Sequence, residues 1–367
     1  MRVLFMLAGL HRVQRGAEVV FESVAAELAR SGDEVTLIGS GQPRADDPYR
    51  FIRITRVARE RFERWPTGPG LRHATAYEGL TAVPSELFRY RPADYDVTVT
   101  CGYPFENWLL RRPRWGGPRP AHVFVTQNGD WPAFSDRAEY RWFSCDGLIC
   151  TNPDYLERNR DRWNCALVPN GVDPSRFAPG RGDRSQFGID TDRPVVLMVS
   201  ALEENKRVLD GMRAVAALDD VAMVVAGDGP LRSEVDRLAA DILPGRFLRL
   251  TVDKSRMPEL YRCADVFLHT TKAESFGNVY IEALASGLPV VAHDAATTRW
   301  ILGDQARLVD TEHGELTEEA LRAALAGGHE GAAARADQAL TRFGWSAIAA
   351  QYRSHFESAI AARRRRG

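Results

Sequence analysis

The sequence predicts an α/β protein made of two doubly wound parallel-sheet (Rossmann-like) domains facing a cleft. Three observations carry that prediction. Short apolar runs alternate with helix-period runs along almost the whole chain, as in parallel strands joined by crossover helices. The alternation breaks once, over residues 174–193, where Pro, Gly, Arg and Asp dominate and periodicity fades. The 367 residues are enough for two domains, each burying its own core.

The elements are expected in this order. A strand over residues 3–7 leads to a helix over 17–30 with apolar positions at Val20, Val24 and Leu28. A second strand over 35–38 ends in Gly39-Ser40-Gly41, and further strands are expected at 51–54, 97–100, 122–126 and 147–150. After the break the pattern restarts with a strand at 195–199, a helix over 208–218, a strand at 222–226, a helix from Leu231 and strands at 247–250 and 266–269. A loop-helix unit over 274–286 and a strand from Pro289 follow, then helices over 316–325, 332–342 and 345–362. The domains are therefore expected at 1–170 and 193–344, joined by a linker over 171–192. Ligands of such folds sit beyond the carboxyl ends of the strands, which places the expected site in the cleft.

A net charge of −1 gives no bulk field to recruit nucleic acid or an anionic membrane, so no nucleic-acid partner is expected. The five cysteines are scattered and never spaced C-x-x-C, as in reduced core residues of a cytoplasmic protein. The apolar start reads as a strand rather than a leader, and no run reaches the roughly 18 apolar residues of a membrane span. Arg363–Arg366 reads as a solvated terminus, with weak peripheral membrane contact as the alternative.

The densest chemistry lies between Lys272 and Val291. Glu274 stands in a loop, Ser275-Phe276-Gly277-Asn278 opens a helix, and Glu282 lies inside that helix among Ile281, Ala283 and Leu284. A helix start presents N–H groups to an anion, and carboxylates accept from paired hydroxyls, so a polyhydroxylated phosphate ester suits the site. An acid favouring a helix start plus a solvated Glu is the plainer account. It leaves Glu282 unexplained.

Four segments, in order and at their separations, resemble the GT-B glycosyltransferases of family GT4. They are Arg15-Gly16-Ala17-Glu18; Pro169-Asn170-Gly171-Val172-Asp173 with Phe177 and Pro179; Ala226-Gly227-Asp228-Gly229-Pro230-Leu231; and Glu274-Ser275-Phe276-Gly277 through Glu282-Ala283. The two glutamates with seven residues between them are the most specific of these, and the resemblance covers nearly the full chain. It implies a retaining hexosyltransferase with an acceptor-side N-terminal domain, a donor-binding C-terminal domain, and a final helix, 345–367, that completes the first.

The resemblance also implies roles. Glu282 accepts from the ribose hydroxyls and Glu274 contacts the transferred sugar. Ser275, Phe276, Gly277 and Asn278 bind the diphosphate or sugar hydroxyls, and the Gly16 N–H meets the β-phosphate. Lys206, just after a strand, stabilises the leaving diphosphate; a cation there opposes the helix dipole, which argues for function. The arginine that usually stands five residues before this lysine is Ala201 here, and Arg207 or Lys272 are candidates to replace its charge. Relatives place a histidine where Gln127 or Asn128 falls, so a proton role there is in doubt. Asp130 either orients the acceptor or acts as base, or it caps a loop or helix.

Same-face substitution, in which the leaving phosphate takes the acceptor's proton, needs no enzymatic nucleophile and is the expected mechanism. No metal is expected: the two D-x-D stretches, Asp94-Tyr95-Asp96 and Asp190-Thr191-Asp192, lie away from the phosphate site. No cofactor is expected beyond the co-substrate, a UDP- or GDP-linked sugar; the acceptor is a carbohydrate, lipid or small molecule. The run Arg53, Arg56, Arg59, Arg61 and Arg64 is a solvated loop or a dock for a phosphorylated acceptor or lipid. Two rivals remain. A Rossmann oxidoreductase is disfavoured because the first strand leads into Gly9-Leu10-His11-Arg12-Val13-Gln14 rather than G-x-G-x-x-G. An inactive sugar-nucleotide-binding partner is motivated by Ala201 and the Gln127 region.

Overall fold

The computed structural model describes the chain apart from residues 14, 63, 72, 73, 112–118, 190, 191 and 367 and the side chain of residue 366. Two compact units result: Met1–Asn170 with Trp345–Gly367, and Gly171–Gly344.

The first unit runs β1 (Arg2–Met6), α1 (Gly16–Arg30), β2 (Glu34–Gly39), β3 (Arg50–Arg53), α2 (Ala74–Arg89), β4 (Val97–Thr100), α3 (Phe105–Leu110), β5 (Ala121–Val125), α4 (Trp131–Phe134), β6 (Gly147–Cys150), α5 (Pro153–Asn159) and β7 (Cys165–Leu167). Its seven strands lie in the order β3-β2-β1-β4-β5-β6-β7, every pair parallel. The strands expected from the apolar runs form within one residue of their predicted ends. β7 and helices α2 to α5 were not expected. β7 is three residues long, too short to show a period. α2 contains Pro84 and buries Glu78 and Glu86, so it lacks the usual apolar-inward signature.

The second unit runs β8 (Val195–Val199), α6 (Val208–Ala216), β9 (Ala222–Ala226), α7 (Arg232–Ile242), β10 (Phe247–Leu250), α8 (Met257–Arg262), β11 (Val266–His269), α9 (Asn278–Ala285), β12 (Val290–His293), α10 (Ala296–Leu302), β13 (Ala306–Val309), α11 (Gly314–Gly327) and α12 (Ala332–Phe343). Its sheet is also parallel, ordered β10-β9-β8-β11-β12-β13. The chain closes with α13 (Trp345–Arg366), which packs on α1, β5 and β6 of the first unit. Ile348, Tyr352 and Phe356 are fully buried there. At about 1.5–3 kcal/mol per large apolar side chain, that burial is ample to hold a terminal helix.

The stretch expected as a linker differs from that expectation. Gly182 donates to the Arg262 carbonyl at 2.9 Å, and Arg184 pairs with Asp265 at 2.7 Å. Phe187 and Ile189 join the second unit's core. Polar composition hid these anchors.

Each sheet reverses its winding once, between β1 and β4 and between β8 and β11. Loops leaving the carboxyl ends of such a pair open a crevice for ligand. Lys206 follows β8 and Glu274 follows β11, so the second unit's switch point holds the strongest sequence candidates.

Candidate active site

Lys206 ends a 3-10 turn, Glu204–Lys206, and Arg207 adopts a left-handed φ of 53° before α6 begins. Thr270, just past β11, fixes this reversal: its hydroxyl bonds the carbonyls of Lys206 and Arg207 at 3.1 and 2.8 Å. The Lys206 ammonium then forms an ion pair with Glu274 Oε1. His269, the last residue of β11, places Nε2 at 3.2 Å from the same oxygen. Its Nδ1 is buried without a partner, so Nε2 is the nitrogen that carries the proton toward the carboxylate. Burial pushes the Glu274 carboxyl up, but the His269 hydrogen bond and the Lys206 charge outweigh it and hold the group below the ordinary carboxylate range.

The chain reaches α9 through Gly277, whose φ is 86°. A Cβ there would lie 2.6 Å from the Tyr280 ring, so only glycine fits both the backbone and the space. Tyr280 stands edge-on to His269 at 5.1 Å between ring centres. Phe276 packs edge-on against Trp300 and Phe343. With Tyr280, Ile281, Leu284 and Ala285 fully buried, α9 cannot rotate without exposing core, and its N-terminus stays beside Glu274.

Glu282 is one turn further along α9 and accepts from the Tyr261 hydroxyl at 2.9 Å. Burial raises its pKa; the Tyr261 bond and the charges of Lys254 and Arg176 offset part of the rise. Arg176 donates to the Lys254 carbonyl at 2.7 Å, which ties those two cations together. Glu274 and Glu282 thus have separate sets of donors and are not joined as a carboxylate pair.

The loop from β9 supports this edge of the sheet. A Cβ on Gly227 would come within 1.8 Å of the Ser200 carbonyl oxygen, so the glycine lets the two loops pack. Leu202 closes the contact, donating to the Asp228 carbonyl and accepting from the Leu231 N–H, each at 3.0 Å.

Other expected residues fall elsewhere. Arg207 is committed to Asp210 at 2.9 Å and to the Thr311 carbonyl at 3.2 Å. Lys272 pairs with Glu312 at 2.6 Å. Both charges are thus engaged away from Ala201 in this structure. In the first unit Gly16 is the first residue of α1. Gln127 and Asn170 exchange amide hydrogen bonds of 2.6 and 3.2 Å, while Asn128 Nδ2 lies 3.8 Å from Cys101 Sγ. Asp130 is 1% exposed and accepts from Arg158 at 2.9 and 3.1 Å and from Asn159 at 2.9 Å. That triple bonding removes it from the base role and makes it an anchor between α4 and α5. In the basic run, Arg56 is buried against Glu78 rather than solvated, and Phe62 is buried.

Of the D-x-D stretches, Asp96 holds Arg2 at the amino end of the sheet, while Asp190 and Thr191 lie outside the described residues. Among the described residues no group of three His, Cys, Asp or Glu side chains is placed to hold a metal ion. Nor is any described helix long and apolar enough to cross a membrane. Sequence reasoning missed His269, Tyr261, Arg176 and Lys254. The placement of His269 at the end of the strand before Glu274 was the one available signal.

Comparisons with known proteins bear on the family and the fold. Residues 14–176 match the model described as Glycosyltransferase Family 4, and residues 181–339 match that of the Glycosyl transferases group 1. A D-inositol 3-phosphate glycosyltransferase of Mycobacteroides abscessus is 30% identical, over 94% of this chain and 85% of that one. The chain is a GT4-type glycosyltransferase of the GT-B fold. A GDP-mannose-dependent alpha-mannosyltransferase of Mycobacterium tuberculosis is 32% identical to this glycosyltransferase, over 75% of this chain and 74% of that one. Among solved structures, sucrose-phosphate synthase of Thermosynechococcus elongatus superposes with a TM-score of 0.78 at 19% identity, covering 98% of this chain and 99% of that one. Anabaena HepE in complex with UDP and glucose gives 0.71 at 18% identity, covering 98% and 100%. At those identities the structural likeness speaks for the fold alone.

Proposed function

We propose that this glycosyltransferase is a retaining hexosyltransferase, taking a sugar from a UDP- or GDP-linked donor to a carbohydrate, lipid or small-molecule hydroxyl. The observation that carries the reading is the meeting of Lys206, His269 and the start of α9 at Glu274. A donor diphosphate competes with Glu274 for the Lys206 charge. His269 keeps Glu274 in place when the lysine turns to phosphate, so the carboxylate can accept from a sugar hydroxyl. Glu282, held by Tyr261, accepts from the ribose. The anomeric C–O bond to phosphate breaks with its electron pair going to the phosphate oxygen, and Lys206 with the N–H groups at the α9 start meets the growing charge. The acceptor oxygen bonds the anomeric carbon on the same face, and its proton passes to the leaving phosphate. No side chain is needed as nucleophile, and none of this asks for a metal.

One relative is named as GDP-mannose-dependent and one fold neighbour was solved with UDP and glucose, so the base is left open between uridine and guanosine. A second reading, a slow or inactive binder of sugar nucleotides, is favoured by Ala201 and by the engagement of Arg207 and Lys272 elsewhere. Release of free nucleotide from a donor–acceptor panel separates the two.

The test of the main reading is a thermal-shift panel of nucleoside diphosphates and their sugars. At least one should raise the melting temperature through mass action. Glu282→Ala should lose most of that shift, and Glu274→Ala should keep it while losing turnover. An unchanged shift in Glu282→Ala would remove that residue from the ribose.

A further inference from the structure

The loop that leaves β5 presents an exposed indole beside the first unit's switch point. β5 borders β4 in the sheet, so this loop lies at the carboxyl ends of the strands next to the reversal between β1 and β4. It turns tightly, the Gly129 N–H donating to the Thr126 carbonyl at 3.1 Å, and enters α4 at Trp131, which is 58% exposed. Single apolar groups on a surface are ordinary, and two further exposed tryptophans fit that account. Trp142 precedes β6, at the amino end of the sheet, and carries the Arg141 guanidinium 4.7 Å above its ring. Trp65 follows the edge strand β3 and packs edge-on against Phe62 and Tyr77. Trp131 differs from both. Among the described residues no guanidinium lies over its ring, and Phe134 meets it at 5.9 Å between ring centres, tilted by 42°.

The backbone that carries this indole is fixed at both ends. Gly129 has a φ of 102°, and a Cβ there would lie 2.5 Å from Trp131 Nε1, so the ring folds back along the turn in space that only glycine leaves. Asp130 fixes the residue before it: Arg158, which donates to that carboxylate at 2.9 Å, also lies over the Phe134 and Tyr155 rings at 4.9 and 5.1 Å. The end of α4 is tied as well. The Ala133 carbonyl accepts from Trp163 Nε1 at 3.0 Å and the Phe134 carbonyl from Arg162 at 2.8 Å. On the same turn Asn128 is exposed, its amide nitrogen 3.8 Å from Cys101 Sγ, a weak acceptor that a hydroxyl can displace.

We propose that Trp131 is a specificity-determining platform on which a sugar ring of the acceptor stacks, so that the acceptor is a pyranoside rather than a simple alcohol or an unglycosylated lipid. The inference rests on the reading of the first unit as the acceptor side. A pyranose has one apolar face of C–H groups and an edge of hydroxyls. The C–H face matches the flat indole, and a hydroxyl at the edge matches an amide that both donates and accepts. An acyl chain has no such edge and gains most where apolar groups surround it, which a single exposed ring does not provide. Because Gly129, Asp130 and the ties of α4 hold the indole before any ligand arrives, stacking on it costs little ordering. A loop displayed by a rigid sheet is also where recognition groups of such folds are carried.

The experiment is saturation-transfer NMR on the full chain, with and without a nucleoside diphosphate. The probes are methyl α-mannopyranoside, methyl β-glucopyranoside and methyl β-galactopyranoside, with 1,2-propanediol as the acyclic control. At least one glycoside should receive saturation, strongest on the C–H groups of one ring face, and the diol should receive little. Trp131→Ala should weaken binding of that glycoside about tenfold, and Trp131→Phe, which keeps a flat ring, should recover most of it. Trp142→Ala should leave it unchanged. An unaltered melting temperature in each variant shows that it folds. The proposal is overturned by absence of transfer to all three glycosides, by transfer to the diol as strong as to them, by binding that Trp131→Ala leaves intact, or by an equal loss in Trp142→Ala. A protein whose melting temperature no nucleotide raises would sink the donor reading instead, and the spectra recorded without nucleotide would still decide the role of Trp131.

Discussion

The site carboxylates of the second unit and the Glu86 and Glu106 pair on α2 and α3 of the first are treated in opposite ways. In the second unit both site acids have donors: Glu274 has Lys206 and His269, and Glu282 has the Tyr261 hydroxyl. In the first unit Glu86 is fully buried with both carboxylate oxygens unpartnered. Burial, and then the charge of Glu106, raise its pKa well above the ordinary carboxylate value. Burial likewise pushes Glu106 up to about 7, a backbone bond opposing and Glu78 adding to the rise. The difference teaches that burial alone says little about an acid's role. A buried carboxylate with cations and directed N–H groups stays ionised and can bind. One without them keeps its proton and acts as a polar core group.

The largest effect expected from breaking this contrast follows Lys206→Ala, which leaves Glu274 with His269 as its remaining side-chain donor. If the lysine meets the leaving diphosphate, kcat should fall about a hundredfold to a thousandfold, the range for losing one preorganised donor to a developing charge. A steady-state measurement of nucleotide release checks this. A loss confined to KM would mean that Lys206 binds the ground state and transition state equally.

The next effect sharpens the contrast through pH. Glu106 has a raised folded pKa, so its contribution to stability is full below about 4.5 and is lost as pH rises through about 7. The interval between those values corresponds to on the order of 3 kcal/mol. Glu274 has a lowered pKa, so its contribution is present at neutral pH and is lost as pH falls. Urea unfolding at pH 5 and pH 8 should therefore show Glu106→Gln stabilising the protein at the higher pH relative to the parent. Glu274→Gln should instead lower stability at pH 8. Parallel slopes in the two variants would place the proton of Glu106 elsewhere.

The same contrast explains what the sequence made legible. Strands such as β8, β9 and β11 were readable because parallel strands buried on both faces appear as unbroken apolar runs. Glu274 and Glu282 were readable because their fixed spacing surrounds a glycine turn that only glycine can make. α2 was not, since its acids point inward and its leucines outward, against the period rule. Asp130 stayed open between two readings for a related reason: a lone acid after a strand looks the same whether it faces ligand or, as here, Arg158 and Asn159. Arg207 misled because adjacency to Lys206 in sequence does not carry through a left-handed residue, which turns the two side chains to different partners.

The smallest effect concerns His269, which touches Glu274 and no phosphate-directed group. It is a positioning residue, so its loss should lower kcat while leaving nucleotide binding in place. His269→Leu removes the hydrogen bond but keeps bulk against Tyr280, and about a tenfold fall in kcat is expected from one bond to a charged acceptor. His269→Gln can return an N–H near the position of Nε2 and should recover most of the rate. Without its imidazole donor, Glu274 also keeps its proton to higher pH. The acid limb of the kcat profile should then move upward in the leucine variant and return in the glutamine variant. A purely packing role would lower melting temperature equally in both and leave that limb unmoved, and equal nucleotide shifts alongside a displaced limb would tie His269 to the ionisation of Glu274.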